Sequence, residues 1–340
     1  MRLSRDGTGY GGYPAHVSPD PPGSIQDLAR RRADARGRRE WTVADRLRAE
    51  IEAAGWKVID RGLDFHLEAA QPPDVVESGR VRYGSSIAVP SLLAEPATEP
   101  VSVVLIAPDR REALEEVLAS LRQESPAETP LVIVGNAPEV DMDEALANAE
   151  VAGATEVLWL GRRSSPAAAA NAGLRRASGS VVVLLDERVR PTGDIVTPLS
   201  DALLDPSVAV AGGFGLDSVD IRRWRPAGPG AVDALAWGAI AFRRDDFLAR
   251  GPLEERFQLG RSLGPWWSFV LRDEGQDAPP RGARAVPFPV DMRPPEAADD
   301  DPSLARAVKR DFYRLIDRFG HRYDLLSSPA PRDRATSEPG

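Results

Sequence analysis

The chain changes its pattern of apolar and polar positions near residue 100. From Val101 onward, short continuous apolar runs alternate with segments whose apolar residues recur at helical spacing. The runs are VSVVLIAP, LVIVGN, EVLWLG and VVVLLDE, and the helical segments between them are REALEEVLASLRQ, DEALANAEVA and PAAAANAGLRRA. Continuous apolar runs are typical of strands buried on both faces. The pattern therefore predicts an α/β domain with a mostly parallel sheet flanked by helices.

The sequence around this domain predicts its limits. We place the α/β domain at 100–293, and the amphipathic pattern of SLARAVKRDFYRLIDRFG predicts a C-terminal helix within 294–325. Residues 71–99 are interpreted as a linker, in which one short strand is expected near VRYGSSIAV. Residues 1–23 and 326–340 are rich in Gly, Pro and charge, which predicts disordered tails.

Residues 24–70 predict a separate helical hairpin. Ser24 is a candidate N-cap, Gly37 interrupts the first helix, and Gly55 is a candidate C-cap of the second. Residues 24–62 contain ten Lys and Arg against seven Asp and Glu, with most of the excess in RRRADARGRR. Two interpretations stay open, a solvated helix face and a surface that contacts RNA or phosphate.

The composition excludes several classes of chemistry. The chain has no cysteine, three histidines and a net charge of −9. Disulfides, thiolate metal sites and cysteine nucleophiles are therefore excluded, and a histidine-rich metal site is not expected. The negative charge argues against a protein that coats nucleic acid. Any catalysis must rest mainly on carboxylates or arginines.

The sequence contains no apolar run of the roughly 18–20 residues that a membrane-spanning helix needs. The N-terminal stretch MRLSRDGTGYGGYP has no apolar core of a signal peptide. We therefore expect no membrane span and a cytoplasmic location.

Polar residues that follow the predicted strands are the first candidates for a site. Ligands of parallel α/β sheets bind at the carboxyl ends of the strands. The segments to examine are Ala107–Arg110, Gly135–Asp141, Gly161–Ser165 and Asp186–Arg188.

The segment from about Val101 to Gly275 resembles the family 2 glycosyltransferases, which have the GT-A fold. NAGLRRASGSVVVLLDERVRP resembles the N-x-G-x-x-x-A-x-G segment and D-x-D strand of that family. WGAIAFRRDDFLARGPLEERF resembles its later G-A-x-x-x-x-R-R-x-x-F and D-E-R-F segment. The resemblance implies a nucleotide-diphospho-sugar donor, a divalent metal on the last Asp of D-x-D, and a carboxylate base that deprotonates a hydroxyl acceptor.

The resemblance also implies which residues lie at the site. Six residues at the strand ends and on the helix before the D-x-D strand are expected to contact nucleotide or sugar, and Trp266 and Trp267 are candidates to stack on the sugar. The six are Pro108, Asp109, Gly135, Asn136, Asn171 and Asp186. Asp186, Glu187 and Arg188 are the candidate catalytic residues.

This sequence departs from the family pattern at three polar positions. Gly135 stands where an Asp usually reads the base, Arg188 replaces the metal-ligand Asp, and the later acidic pair falls on Pro265-Trp266. A cation does not coordinate a metal ion, so we expect no divalent metal site, and the sequence predicts no cofactor.

Two explanations of these departures stay open, and with them the question of enzymatic activity. In the first, the fold has lost catalysis and serves as a scaffold or binding protein, whose hairpin docks a partner protein or RNA. In the second, Arg188 contacts the phosphates in place of a metal. One of four later carboxylates would then be the base. They are Glu254, Glu255, Asp273 and Glu274.

The N-terminal hairpin has a resemblance of its own. ARRRADARGRREWTVADRLRAEIEAAGWKVID resembles the C-terminal helical segment of cysteinyl-tRNA synthetases over some 40 residues. The catalytic motifs of those enzymes are missing, and their zinc site needs cysteine. The resemblance therefore implies at most a segment that docks tRNA or another partner.

Overall fold

A computed structural model gives the fold. It describes residues 21–61, 64–69, 72–77, 79–126, 128–151, 155–275, 278–292 and 302–328. Residues 1–20 and 329–340 of the predicted tails, and 294–301 at the start of the predicted C-terminal segment, lie outside these residues. The tails, predicted at 1–23 and 326–340, are shorter than expected, because α1 begins at Gly23 and Leu326 is buried in the core. The chain divides into two compact units, Met1–Pro73 and Asp74–Gly340, and each is described by itself.

The first unit contains the predicted helical hairpin. Helices α1 (Gly23–Gly37) and α2 (Trp41–Ala53) pack on each other, and a small apolar cluster that includes Ile25, Ile51 and Trp56 lies beneath them. The helices are followed by an antiparallel pair that the sequence analysis did not predict, β1 (Trp56–Arg61) and β2 (Asp64–Ala69). The unit is thus two helices with a β-hairpin. Its second half is not helical, because alternating residues of each strand face the helices.

The second unit is built on one large sheet. Its strands and helices are, in chain order, β3 (Val75–Glu77), β4 (Arg80–Tyr83), β5 (Glu99–Ile106), α3 (Arg111–Glu124), β6 (Leu131–Asn136), α4 (Val140–Val151), β7 (Thr155–Leu160), α5 (Pro166–Leu174), β8 (Gly179–Leu185), β9 (Val189–Pro191), α6 (Val196–Ala202), β10 (Val208–Gly212), β11 (Gly215–Ser218), β12 (Trp224–Ala227), β13 (Gly230–Val232), β14 (Ala234–Leu235), β15 (Ala239–Arg243), α7 (Arg244–Arg250), α8 (Gly260–Arg272), β16 (Gly282–Ala285), β17 (Val290–Met292) and α9 (Pro302–Phe319). Short 3-10 helices lie at Ser86–Ala88 and Tyr323–Leu325.

The strand order of this sheet is β13, β16, β10, β15, β8, β5, β6, β7, β4 and β3. The four predicted strands β5 to β8 are confirmed, and together with β4 they form a parallel block. Strand β15 then pairs antiparallel with both β8 and β10. The predicted mixed α/β fold with a mostly parallel central sheet is therefore confirmed.

The two faces of the sheet bury two apolar clusters. Alternate residues of β5 show this, since Val104 belongs to the cluster under α5 and α8 while Leu105 belongs to the cluster under α3, α4 and α6. Helix α5 packs closely because Gly173 lies against the sheet, where an added Cβ would lie 2.3 Å from Cγ1 of Val104. The close packing holds α5 at the carboxyl ends of the neighbouring strands.

Part of the segment interpreted as a linker belongs to the sheet. Strands β3 and β4 form an antiparallel pair at its edge, and Arg82 and Tyr83 continue the sheet beside Trp159 and Leu160. These strands are three and four residues long and partly exposed, so their sequence carries little apolar signal. The linker interpretation is therefore corrected at residues 75–77, and β4 lies where one short strand was expected, near VRYGSSIAV.

Candidate functional site

The loops after β5, β7 and β8 bring three charged side chains together. Arg163, which follows β7, donates from Nη1 to Asp109 after β5 and from Nη2 to Glu187 after β8, the latter at 3.1 Å. We call Asp109, Arg163 and Glu187 the charged triad. Their side chains are 61%, 51% and 34% exposed. The carboxyl ends of parallel strands share one edge of a sheet, so the triad lies where ligands of this fold class bind.

The acid–base state of the triad follows from its partial burial. Burial raises the pKa of Glu187 above its ordinary value, and the positive charge of Arg163 offsets only part of this rise. Burial also lowers the pKa of Arg163, but the hydrogen bond to Asp109 and the charge of Glu187 outweigh burial and raise that pKa. Arg163 is therefore a fixed cation between two carboxyl groups, and Glu187 is the group that holds its proton more tightly than usual.

Asp186 and Arg188 form a second charged group at the end of β8. The carboxylate of Asp186 accepts from the backbone N–H of Arg188 at 2.8 Å, from its Nε at 2.9 Å and from its Nη2 at 3.2 Å. Nη2 also donates to the carbonyl oxygen of Trp237 at 3.3 Å. The Asp186 side chain is 8% exposed and that of Arg188 is 24% exposed. The guanidinium is thus turned back onto its own strand and neutralises the acid.

These residues do not fit a divalent metal. A metal at this position would need the carboxylate of Asp186, which Arg188 already occupies with two nitrogens. Among the described residues, no group of three or more His, Cys, Asp or Glu side chains is arranged to hold a metal ion. Asp186 and Arg188 at the end of β8 therefore form an ion pair and not a set of metal ligands.

Gly135 and Asn136, the predicted site residues at the end of β6, contact other parts of the protein. Asn136 is buried, and its amide bonds Ser164 in both directions, accepting from the backbone N–H at 2.8 Å and donating to the carbonyl at 3.0 Å. Gly135 lies in β6, where a Cβ would meet Leu146 at 2.8 Å. Asn136 therefore fixes the loop that carries Arg163, and Pro108 is buried beside Asp109 on the neighbouring loop.

The side chain of Asn171 also holds a backbone segment in place. Its side chain is 3% exposed, accepts from the N–H of Leu253 at 3.0 Å, and donates to the carbonyl of Leu253 and to Glu255, both at 2.9 Å. Ser165, which caps α5 by accepting from the N–H of Ala168, donates to the carbonyl of Glu255. The segment after α7 is thereby attached to α5.

The structure corrects the prediction that Trp266 and Trp267 stack on a sugar. Their relative exposures are 5% and 0%, and Trp267 packs edge-on against Phe242 in the core. Neither side chain offers an open face to a sugar. The pair lies inside α8, and its apolar surroundings on both sides account for the burial.

The four alternative base residues are occupied elsewhere. Glu254 pairs with Arg256, Asp273 with Arg322, and Glu274 with Arg250 and Arg281. Glu255 accepts hydrogen bonds from Asn171 and Ser86. Asp109 and Glu187 of the triad lie at strand ends and pair with the half-exposed Arg163. The sequence segment Gly161–Ser165 contained Arg163, but no spacing rule could single out this residue before its partners were known.

The charge of the N-terminal hairpin is largely paired. Arg32 and Arg36 both contact Asp60, and Arg32 forms a two-pronged bond at 2.7 and 3.1 Å. Further pairs join Arg38 with Glu40 and Arg48 with Glu52. This pairing favours the interpretation of a solvated face over that of a phosphate-binding surface.

In the part of the chain that the structure describes, no helix combines the length and apolar character required to span a bilayer.

Several solved structures match the chain, and the match with GalNAc-T7 supports the fold. GalNAc-T7 with UDP, GalNAc and Mn²⁺ matches with a TM-score of 0.53 and 16% identity, over 66% of this chain and 49% of that chain. The mannosyltransferase PcManGT of Pyrobaculum calidifontis with GDP-Man and Mn²⁺ matches with a TM-score of 0.48 and 17% identity, over 68% of each chain. S. aureus TarS 1–349 matches with a TM-score of 0.47 and 13% identity, over 68% of this chain and 67% of that chain. This chain thus spans about half the length of GalNAc-T7.

Two comparisons of the sequence gave different results. No curated protein sequence matches the chain. The cysteinyl-tRNA synthetase resemblance of the hairpin receives no support from the matches found. Residues 102–256 match the family model described as Glycosyl transferase family 2. This range contains most of β5, all of β6 to β8, the charged triad and the Asp186–Arg188 pair. This segment is therefore similar to glycosyl transferase family 2 domains, and its fold is that of the GT-A glycosyltransferases.

Proposed function

We propose that the second unit binds a nucleotide-diphospho-sugar at the strand ends without a divalent metal. The observation that carries this proposal is the two-pronged contact of Arg188 with Asp186 at the D-x-D position. It replaces a metal-binding acid with an internal ion pair, while the fold and the family match support a nucleotide-sugar site. UDP and GDP-Man, which accompany two of the similar structures, indicate the class of ligand.

The charged triad supplies the groups that such a ligand would meet. Arg188 is mostly buried and neutralised, whereas Arg163 is half exposed and follows β7, which lies two strands beyond β5 and reaches the site through its loop. A guanidinium presents paired donors that match phosphate oxygens. We infer that Arg163, rather than Arg188, contacts the diphosphate, and that Asp109 or Glu187 releases Arg163 when the ligand binds.

Sugar transfer is the activity that we propose for this site, with Glu187 as the carboxyl group best placed to take a proton. Its pKa is raised, which is a property of general bases that work near neutral pH. The alternative is a nucleotide-sugar-binding protein without transferase activity. The engagement of Glu254, Glu255, Asp273 and Glu274 in structural pairs favours that alternative.

Thermal unfolding with a panel of nucleoside diphosphates and nucleotide-sugars tests the proposal, each ligand with Mn²⁺ and with chelator. A ligand at about a hundred times its dissociation constant adds roughly 2.7 kcal/mol to stability. We expect one nucleotide-sugar to raise the unfolding midpoint equally in both conditions and Arg163→Ala to abolish the rise. If no ligand raises the unfolding midpoint, or if chelator removes the rise, metal-free binding is contradicted. Release of free nucleotide with a hydroxyl acceptor then separates a transferase from a binding protein.

A further inference from the structure

The order of the strands leaves a crevice between the carboxyl ends of β5 and β8. In the sheet, β5 lies between β6 and β8, and the chain runs from β5 to β6 and β7 on one side before it crosses to β8 on the other. Ligands of open α/β sheets bind outside the strand ends at such a reversal of strand order. Asp109 follows β5, Glu187 follows β8, and Arg163 donates to both. The charged triad therefore lies at this crevice.

Arg163 reaches the crevice from a strand that does not border it. It follows β7, and β6 lies between β7 and β5. The loop Gly161–Ser165 must therefore cross the end of β6 to bring Arg163 to Asp109 and Glu187. An arginine side chain has many rotamers, so ordering it between two carboxyl groups is less costly when the backbone beneath it is already fixed. The position of Arg163 consequently depends on the contacts of this loop with the end of β6.

The side chain of Asn136 makes these contacts. Asn136 is the last residue of β6 and pairs with Leu160 of β7. Past this pair, Oδ1 of Asn136 accepts from the N–H of Ser164 at 2.8 Å, and Nδ2 donates to the carbonyl of Ser164 at 3.0 Å. A side-chain amide suits this contact because it carries an acceptor and a donor next to each other. We call these two hydrogen bonds the Asn136–Ser164 clamp, and Arg163 is the residue directly before it.

The backbone is held on both sides of Arg163. On one side is the clamp, whose Asn136 is 7% exposed. On the other side, the N–H of Gly161 donates to the carbonyl of Tyr83 at 2.9 Å. Ala137, directly after Asn136, has a φ of 55°, a left-handed conformation that is uncommon for residues other than glycine. Backbone conformations of this kind persist where the surroundings enforce them, and they are concentrated at functional sites.

We propose that Asn136 is a positioning residue of the nucleotide-sugar site, whose clamp on Ser164 holds Arg163 at the crevice for contact with the diphosphate. Asn136 itself does not touch the ligand in this proposal, because both polar atoms of its amide are turned to Ser164. The role differs from the direct contact with nucleotide or sugar that the sequence predicts for Asn136. The inference rests on the proposed function, but the hold on Arg163 can be measured without a ligand.

The proton affinity of Glu187 gives this measurement. Burial raises the pKa of the Glu187 carboxyl group, and the charge of Arg163 lowers it. Three other charged residues act on the group more weakly, and they are Asp109, Asp186 and Arg188. We expect Asn136→Ala to raise the pKa of Glu187, because Arg163 is no longer held beside it. NMR of the side-chain carboxyl carbon measures this pKa, with Glu187→Gln to assign the signal. In an Arg163→Gln background, Asn136→Ala should have no further effect on the pKa.

Ser164→Ala is the matched control. The clamp uses only backbone groups of Ser164, and its hydroxyl donates to the nearby carbonyl of Arg162. This variant should leave the pKa of Glu187 unchanged. Asn136→Leu removes the clamp while it fills the buried space, and it carries the test if Asn136→Ala does not fold. An unchanged pKa of Glu187 in a folded variant of Asn136, or an equal rise in Ser164→Ala, would overturn the proposal.

Affinity for phosphate-bearing ligands is the second arm of the test. Inorganic pyrophosphate, UDP-GlcNAc and GDP-mannose are the probes, and thermal unfolding over a range of concentrations gives the dissociation constant of each. Asn136→Ala should weaken binding of pyrophosphate and of a nucleotide-sugar by the same factor, about tenfold, which is the order of one hydrogen bond to a charged group. A loss for the nucleotide-sugar alone would show that Asn136 touches the nucleoside or the sugar, and it would overturn the positioning role.

The two arms separate this inference from the proposed function. If none of the probes binds the wild type while Asn136→Ala raises the pKa of Glu187, the proposed function fails, and the role of Asn136 toward a ligand fails with it, although the clamp still holds Arg163. If a nucleotide-sugar binds the wild type while the pKa of Glu187 stays unchanged in Asn136→Ala, the proposed function stands and the positioning role is overturned.

Discussion

Arg188 donates from Nε and Nη2 to the two carboxylate oxygens of Asp186, at 2.9 and 3.2 Å. The pair lies at the end of β8, the position at which family 2 enzymes hold a metal. Breaking a buried pair by removing one partner leaves an uncompensated charge, which is costly. Arg188 therefore stabilises the end of β8 by neutralising Asp186, and the same side chain stands where a metal-binding acid would otherwise be.

Restoring an acid at this position should create a metal response. In Arg188→Asp, two carboxylates at the end of β8 repel each other, so we expect a lower unfolding midpoint than that of the wild type in chelator. Mn²⁺ should raise the midpoint of this variant, by about 2.7 kcal/mol in stability at a hundred times the dissociation constant, and should leave the wild type unchanged. Thermal unfolding with and without Mn²⁺ is the measurement.

The matched control is Arg188→Asn, which removes the guanidinium without adding a carboxylate and should show no Mn²⁺ response. An equal Mn²⁺ effect on the wild type and on Arg188→Asp would contradict the interpretation of the ion pair.

Asn171 should be important for stability rather than for ligand binding alone. Asn171→Ala leaves the buried N–H and carbonyl groups of Leu253 without their partners, and it also removes a donor to Glu255. We expect the free energy of unfolding to fall by about 2–4 kcal/mol, measured by urea denaturation. Glu255→Gln keeps an acceptor at the same place and should cost less than about 1 kcal/mol. A loss of under roughly 0.5 kcal/mol in Asn171→Ala would show that the segment is held by other contacts.

Glu187 should give the protein a defined pH dependence. Its pKa is raised by burial, so the folded state binds the proton more tightly than the unfolded state does. The stability that this group contributes is present at low pH and is lost as the pH rises through its folded pKa. We therefore expect Glu187→Gln to become more stable relative to the wild type as the pH increases from about 4 toward 8.

Urea denaturation of both proteins across this pH range measures the effect. In an Arg163→Gln background the effect should be larger, because the charge of Arg163 lowers the pKa of Glu187. A difference in stability that decreases with rising pH would exclude this interpretation of Glu187.

Trp267 should contribute to the core and not to sugar recognition. The side chain is fully buried and lies edge-on to Phe242, with ring centroids 5.5 Å apart. Trp267→Ala should lower the free energy of unfolding by about 3–5 kcal/mol. Trp267→Phe should cost less and should keep the full stabilisation by a nucleotide-sugar, measured as the shift in unfolding midpoint. Loss of that shift in a folded Trp267→Phe protein would restore the stacking prediction.

The apolar runs predicted the central strands because strands buried on both faces have no polar positions to interrupt them. β5 and β8 illustrate this, since almost every residue after their first two or three is buried. Strand β3 was not predicted, and β4 was expected only as one short strand near VRYGSSIAV, because an exposed edge strand of three or four residues has neither a long run nor a clear alternation.

The sequence predicted where the candidate site lies, but it did not predict which side chains contact each other there. The strand-end rule selected the segments that contain Asp109, Arg163 and Glu187, because topology alone brings these ends together. Sequence could not show that Arg188 folds back onto Asp186, since an arginine side chain reaches phosphate or its own strand equally well. Nor could it place Trp267, because neighbouring tryptophans in an apolar helix leave open which one faces the core.

The charged triad joins positions that are distant along the chain. Arg163 bonds partners that lie 54 and 24 positions away, and β6, α4 and β7 must be in register before the three side chains meet. Loop-closure entropy opposes such contacts until the intervening elements have packed. During synthesis, the growing polypeptide therefore acquires this constellation only after β8 has left the ribosome and joined β5. A truncated product that ends before residue 187 lacks it altogether.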